Sequence, residues 1–202
     1  MFRWFAVTIL LGAVGTSAYY RLRARRGSET ISRRREGGFF LAVRALLALF
    51  LLFTVIAYVA IPQRMTWASF VLPAWIRWLG FIVGLLTIPA VSWVLRSLGR
   101  NVSETVLTKR EHQLVTVGPY QWVRHPLYTT GIILFVALGL MLASWLVLFI
   151  AAITALLIYL LVVPAEESAL VAKFGERYRA YMSGTGRLLP RVSSSDRRTG
   201  AT

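Results

Sequence analysis

The residues of this chain best equipped for chemistry lie close together. Residues 112–128 read His-Gln-Leu-Val-Thr-Val-Gly-Pro-Tyr-Gln-Trp-Val-Arg-His-Pro-Leu-Tyr, a stretch that holds both histidines, an arginine, two tyrosines and a tryptophan. Gly118-Pro119 marks a turn. Pro126 suits the first turn of a helix, where its missing N–H costs nothing. Arg124 and His125 then stand at a helix N-terminus, a place that favours anionic groups. Further along, Glu166-Glu167 is an acidic pair in a chain with 23 Lys+Arg and only 8 Asp+Glu. An arginine can orient a carboxylate or phosphate. Aromatic faces such as Tyr120, Trp122 and Tyr128 can hold a cation for ~0.5–2 kcal/mol. A simpler reading is open for each piece. The loop also suits a basic interfacial segment with aromatic anchors. The Glu pair also suits a first helical turn after Pro164, where it stabilises the dipole by ~0.3–1 kcal/mol. Cysteine is absent, which excludes disulfides, a thiol nucleophile and thiolate-bound metal. With two histidines and few acids, no metal site is expected.

Such a cluster needs a scaffold, and the composition identifies the solvent of that scaffold as a bilayer. Hydrophobic residues make up 57% and mean hydropathy is +0.64, against ~45–50% apolar in soluble domains. The net charge of +15 taken alone would point to nucleic acid. The basic residues sit in blocks between apolar runs, however, which fits topology and anionic headgroups, so no nucleic-acid partner is expected.

Five spans are predicted, over 2–20, 39–61, 74–95, 127–142 and 145–163, since ~20 helical residues cross the hydrocarbon core. The first also has the form of a cleavable signal peptide, with Arg3 before the apolar run and Thr16-Ser17-Ala18 after it. The arginines at 21, 23, 25, 26 and 33–35 resist translocation and favour a retained helix. Arg44 lies near the start of the second span, Pro62 ends it, and Pro89 is expected to kink the third. Residues 127–163 form a 37-residue run without charge. At ~1.5 Å per residue that is too long for one crossing, and Ala143-Ser144 is the natural turn of a tight hairpin. Beyond Pro164, Glu166–Met182 is predicted to be an amphipathic tail helix with Leu170, Phe174, Tyr178 and Tyr181 near one face. Ser193–Thr202 is predicted to be disordered. The chain is thus read as one all-α polytopic membrane domain over 1–192, with its site in 96–128 and 164–191.

Charge sets the expected orientation. Seven basic residues lie in 21–38, five in 96–126 and seven in 164–202, and five spans place all three segments on one side. The positive-inside rule makes that side the cytoplasm, with the N-terminus outside and the C-terminus and site inside. The Arg/Ala-rich, Lys-poor makeup points to a bacterial inner membrane.

The motifs, taken in order, match a known pattern. Gly118-Pro119-Tyr120, Val123-Arg124-His125-Pro126 and Tyr128, then a hydrophobic hairpin, Glu166-Glu167, Phe174-Gly175-Glu176, Tyr178, Tyr181 and Pro190 closely resemble the isoprenylcysteine carboxyl methyltransferase family. That family is related to the membrane phospholipid methyltransferases. The resemblance covers about half the chain, residues 96–191. It implies S-adenosylmethionine as methyl donor at the cytoplasmic face, and a lipophilic acceptor arriving from the bilayer. His112, Leu114 and Val115 match the family's cofactor-contacting His-x-Leu-Val. Gly118 and Tyr120 match the Gly-Pro turn and the tyrosine after it, and His125, Pro126 and Tyr128 match the His-Pro-x-Tyr that wraps the cofactor. Glu166 matches the glutamate that holds the cofactor's polar part; Arg124 and neighbouring Glu167 are the residues expected at the chemistry. One position departs: where the eukaryotic prenylcysteine enzymes carry an arginine facing the substrate carboxylate, this chain has Val162, which argues against a prenylcysteine carboxylate as acceptor unless Arg187 of the tail substitutes in binding it.

Transfer from a sulfonium is an in-line displacement, so the protein's part is positioning and exclusion of water. The acceptor is open between a carboxylate, an amine and a thiol: a carboxylate needs no general base, whereas an amine needs one, for which Glu167 or His125 would serve. Two alternatives stand beside this reading. One is an NADPH-dependent membrane sterol or steroid reductase, which shares features of the last hairpin and His-Pro-x-Tyr. The other is a non-enzymatic small transporter or scaffold.

Overall fold

The computed structural model describes residues 1–25, 38–99 and 114–191. Each apolar run of the sequence folds as a helix: α1 (Phe2–Arg25), α2 (Gly38–Ala60), α3 (Ala74–Leu98), α4 (Pro126–Leu142) and α5 (Trp145–Leu157). The last continues through a π-helical turn (Ile158–Val162) into α6 (Val163–Phe174), and α7 (Glu176–Gly184) follows. Among the described residues the regular structure is all helical, with no strand beyond two isolated bridges. Three helical stretches are long and apolar enough to cross a membrane unaided: Phe2–Ala24, Ala74–Leu98 and Trp145–Phe174. The second predicted span bends by 120° at its end, into a 3-10 helix over Pro62–Ala68. Proline at residue 62 enforces that break, having no N–H for the helix to use. The fourth, Pro126–Leu142, is a shorter apolar helix.

Small residues bring the helices together. A Cβ on Gly80 of α3 would stand 2.8 Å from Ala137 O and from Met141 N of α4, so the two backbones nearly touch. Gly139 of α4 takes Leu148 of α5 in the same way, at 3.2 Å from its backbone N. Without a hydrophobic drive between helices in lipid, such close packing is what holds a bundle. Ala6, Ile9 and Ala13 of α1 are buried in the same core as Leu134, Leu138 and Met141 of α4. The predicted hairpin turn forms where expected. Ala143 takes a left-handed φ of 52°, and the Ser144 hydroxyl accepts from Val147 N at 3.2 Å to cap α5.

Two expectations are corrected. The tail helix over Glu166–Met182 is not one helix. Its first half is the continuation of the last span, and Gly175, at φ +55°, ends α6 before α7 begins. The helix that carries this span does not stop at Pro164. Proline cannot donate to residue 160 and its ring crowds that carbonyl; the π-helical turn directly before it widens the spiral and accommodates the ring. α3 runs on unbroken through Pro89. The predicted disordered tail, 193–202, lies outside the described residues.

The bundle has two distinct ends. Arg77 at the start of α3 lies over the Phe2 ring of α1 at 4.2 Å and donates to Met141 O near the α4–α5 turn at 3.0 Å. At the other end, Tyr20 of α1 meets Ser92 at 3.0 Å and Arg96 at 2.7 Å near the close of α3. The start of α4 and the whole of α6 belong to this second end, where the polar loop and tail converge.

Candidate active site

The site begins with a loop laid against α3. Gly118 has φ +63°, and a Cβ there would meet the Ser97 hydroxyl at 2.5 Å, so glycine alone permits the approach. A 3-10 turn over Gly118–Gln121 then buries Pro119 and Tyr120. The Trp122 ring stands edge-on to Trp93 of α3, centroids 5.8 Å apart. Leu114 and Val115 precede this turn as half-buried irregular chain. His112 lies outside the described residues.

From Trp122 the chain extends and pairs with the tail. Gly186 N donates to Trp122 O at 3.3 Å, Arg124 N to Gly186 O at 2.8 Å, and His125 N to Arg187 O at 3.1 Å. Thr129 adds a hydroxyl bond to Leu188 O at 2.7 Å. A Cβ on Gly186 would run into the Leu189 carbonyl, so this turn of the tail also requires glycine. The tail is anchored from α7 as well: Tyr178 is fully buried and the Tyr181 hydroxyl donates to Tyr120 O.

The pairing draws the charged side chains into one cluster at the N-terminus of α4. Glu167, with 4% of its side chain exposed, receives Arg124 Nε on Oε1 at 2.8 Å. Its Oε2 receives Arg187 Nε and Nη2, both at 2.9 Å. Arg124 also donates to the carbonyls of Met182 and Thr185, which tie it to the end of α7. Glu166 Oε1 accepts from the Tyr128 hydroxyl at 2.6 Å, and its Oε2 lies 3.3 Å from His125 Nδ1. His125 Nε2 is 3.5 Å from Glu167 Oε1, long for a hydrogen bond and better described as an ionic contact. The His125 and Tyr128 rings stack with centroids 5.9 Å apart. Two carboxylates thus stand beside the positive end of α4, where its dipole stabilises them.

The electrostatics follow from this crowding. Both nitrogens of His125 face carboxylate oxygens, and a neutral ring would point a lone pair at one of them. Burial pushes the imidazole pKa down, but the bonds and charges of Glu166 and Glu167 outweigh it and leave it raised. Burial also pushes the Tyr120 phenol far above its ordinary range, with Tyr181 and Glu166 adding to the effect. Tyr181 is pushed up to about 12 by burial, against the lowering effect of Arg124. These phenols are therefore hydrogen-bonding groups, not bases.

Of the residues read from the sequence, the fold joins Arg124, His125, Tyr128, Glu166, Glu167 and Arg187 in one network, with Pro126 buried in the first turn of α4. Tyr120 borders it through Tyr181. Sequence reasoning missed the backbone carbonyls of Met182 and Thr185, the glycine at 186, and Tyr159, whose ring lies 5.4 Å under the Arg187 guanidinium. Gly186 was the one legible signal, as a glycine just past the last helix.

The chain is similar to known proteins to differing extents. A family model described as phospholipid methyltransferase matches residues 75–177, just over half of the chain. The cobalt-zinc-cadmium resistance protein CzcN of Cupriavidus metallidurans is 33% identical over 120 residues, covering 58% of this chain and 55% of the relative. The nickel-cobalt-cadmium resistance protein NccN of Alcaligenes xylosoxydans xylosoxydans is 33% identical over 110 residues, covering 54% and 51%. The chain spans about half the length of these curated relatives. Among solved structures, the eukaryotic intramembrane Ras methyltransferase, isoprenylcysteine carboxyl methyltransferase, aligns with a TM-score of 0.58 at 18% identity, over 92% of this chain and 67% of that one. A likeness at that identity establishes the polytopic fold.

Proposed function

This chain belongs to the phospholipid methyltransferase family, and on that premise we propose that it transfers a methyl group from S-adenosylmethionine to a lipophilic acceptor held at the membrane. The observation that carries the reading is the closure of the hairpin, which brings Glu166 to Tyr128 at 2.6 Å and His125 at 3.3 Å. A partly exposed carboxylate (19%) thereby stands among aromatic rings at a helix N-terminus, a combination that fits a donor bearing an ammonium and a sulfonium.

When bound, S-adenosylmethionine supplies an electrophilic methyl group on sulfur. Glu166, oriented by the Tyr128 hydroxyl on one oxygen and by His125 on the other, would hold its ammonium. Tyr120, Tyr128 and Pro126 would supply the walls around it, Gly118 lets the loop close on α3, and Leu114 and Val115 would extend that wall; His112 is assigned to the cofactor by the resemblance alone. Arg124 binds Glu167 and two carbonyls at the end of α7, so it fixes the tail over the loop and keeps water out. Glu167 acts as the anchor of this clamp; with both oxygens held by guanidinium groups, it is poorly suited to take a proton. The family favours this reading over a reductase or a transporter. The distribution of basic segments supports a site on the cytoplasmic side of the membrane, with the N-terminus opposite, and the Arg/Ala-rich composition favours a bacterial inner membrane.

The test is binding of S-adenosylmethionine to the purified full chain in detergent, by calorimetry. Wild-type protein binds, and Glu166→Ala binds far more weakly. Equal affinities, or no binding by wild type, would overturn the proposal.

A further inference from the structure

We propose that the closing turns of α1 and α3 form a binding site for an anionic phospholipid, with Arg96 and the arginines of α1 on its phosphate and Tyr20 holding Arg96 in place. The proposal is independent of the methyl-transfer reading and of the acceptor.

Two helices build the site. The Tyr20 hydroxyl of α1 meets Ser92 Oγ at 3.0 Å and accepts from Arg96 Nε, one turn further along α3, at 2.7 Å. The guanidinium is thus fixed through Nε alone. Its two Nη groups have no partner among the described residues, which leaves a fork that matches two phosphate oxygens. Arg21 is held in the same manner, its Nε donating to Ser17 Oγ at 3.1 Å. Arg23 follows Tyr20 by three residues and shares its face of α1. A cation near a helix C-terminus is favourable by itself. That accounts for the position of Arg96, but not for the hydroxyl that locks it.

Charge calls for an anion. Among the described residues the ion pairs are made by Glu166, Glu167 and Glu176, and none of these meets Arg21, Arg23 or Arg96. Three guanidinium groups at one end of two packed helices therefore lack a protein counter-ion. An anionic headgroup supplies one.

Depth calls for a lipid, not a dissolved ion. At ~1.5 Å per residue, Tyr20 stands about 27 Å from the start of α1 and Arg96 about 33 Å from the start of α3. The hydrocarbon core is ~30 Å thick, so the hydroxyl and the guanidinium lie at the level of the headgroups. Alongside them Val91 and Leu95 are buried, with Tyr20, Leu98 and Leu127 packed against them. Tyr19 and Leu22 are exposed on α1 and offer acyl chains an apolar flank. Leu127 belongs to the first turn of α4, the turn that also carries Tyr128, so the lipid site borders the candidate active site.

The test is native mass spectrometry of the purified full chain in detergent. The added probes are phosphatidylglycerol, phosphatidylcholine of the same acyl chains, and inorganic phosphate. Wild type binds one phosphatidylglycerol about tenfold more tightly than phosphatidylcholine. Arg96→Gln weakens phosphatidylglycerol about fivefold or more. Tyr20→Phe, which keeps the ring and removes the hydroxyl, weakens it about threefold. Arg21→Gln, expected to lose about fivefold as well, serves as the charge variant if Arg96→Gln does not fold. Arg3→Gln, at the opposite end of α1, leaves the affinity unchanged. Inorganic phosphate at the same concentration displaces no lipid. The proposal is overturned by equal affinity for the two lipids, by a loss at Arg3 as large as that at Arg96, or by binding indifferent to both Arg96 and Tyr20. Displacement by inorganic phosphate would make the ligand a dissolved anion and overturn it equally.

Discussion

Arg77 and Arg124 put the same side chain to different use at opposite ends of the bundle. Arg77 donates to Met141 O at the C-terminal end of α4 and lies over the Phe2 ring. A cation at a helix C-terminus is favourable by itself, because the last carbonyls there lack partners. Arg124 works at the other end of α4, inside a cluster with Glu167 and the Met182 and Thr185 carbonyls. A buried ion cluster is costly unless every member is present. The α4–α5 turn end is therefore a set of separable contacts, whereas the loop and tail end is one interdependent unit. An interdependent charged cluster that adds little net stability is what a binding site requires.

The sharpest way to break that contrast is Glu167→Ala, which strands Arg124 without its counter-ion. Stability falls by about 3–5 kcal/mol, read by thermal unfolding in detergent, and the tail beyond Gly184 becomes open to protease. A loss no larger than that of an exposed pair would dissolve the distinction. Glu166→Gln comes next. Donor affinity drops by about 10–100-fold through a lost charge-assisted contact, while the melting temperature hardly moves. A collapse of the fold instead would make Glu166 a member of the clamp.

Arg77→Ala sharpens the comparison from the other side. It removes one hydrogen bond and one cation–π contact, for about 1–2 kcal/mol of stability, and leaves donor affinity at the wild-type value. Altered donor affinity would mean that the two ends are coupled. The smallest effect belongs to pH. The native pKa of His125 is raised above the ordinary 6.5. Its contribution is fully present below that value and is lost as pH rises through the higher native one, at no more than about 1.4 kcal/mol per pH unit. Melting curves across that window show the slope in wild type and not in His125→Gln; identical slopes would remove the imidazolium from the account.

Some of this was plain in the residues. The uncharged run 127–163 had to fold back, because one crossing cannot hold it, and Ala143-Ser144 is where it does. Gly118 announced a turn, and its positive φ and contact with Ser97 explain why no other residue serves. The π-helical turn was hidden: the apolar run ends at Val163, yet the helix passes through Pro164 by widening one turn earlier. The extra residue in that turn rotates everything after it by about 100°, which sets the direction in which Glu166 and Glu167 face.

What the sequence determined by itself was the solvent, the helical hairpin and the inventory of chemical groups. Hydropathy and chain length act residue by residue, and a motif keeps its spacing in any fold. What only the tertiary structure decided was which groups share a charge. Arg124 and Glu167 stand 43 residues apart in the chain, and Arg187 a further 20 beyond Glu167. The pairing of residues 122–125 with 186–187 that unites them is made by backbone atoms, which are the same at every position and leave no mark in the sequence.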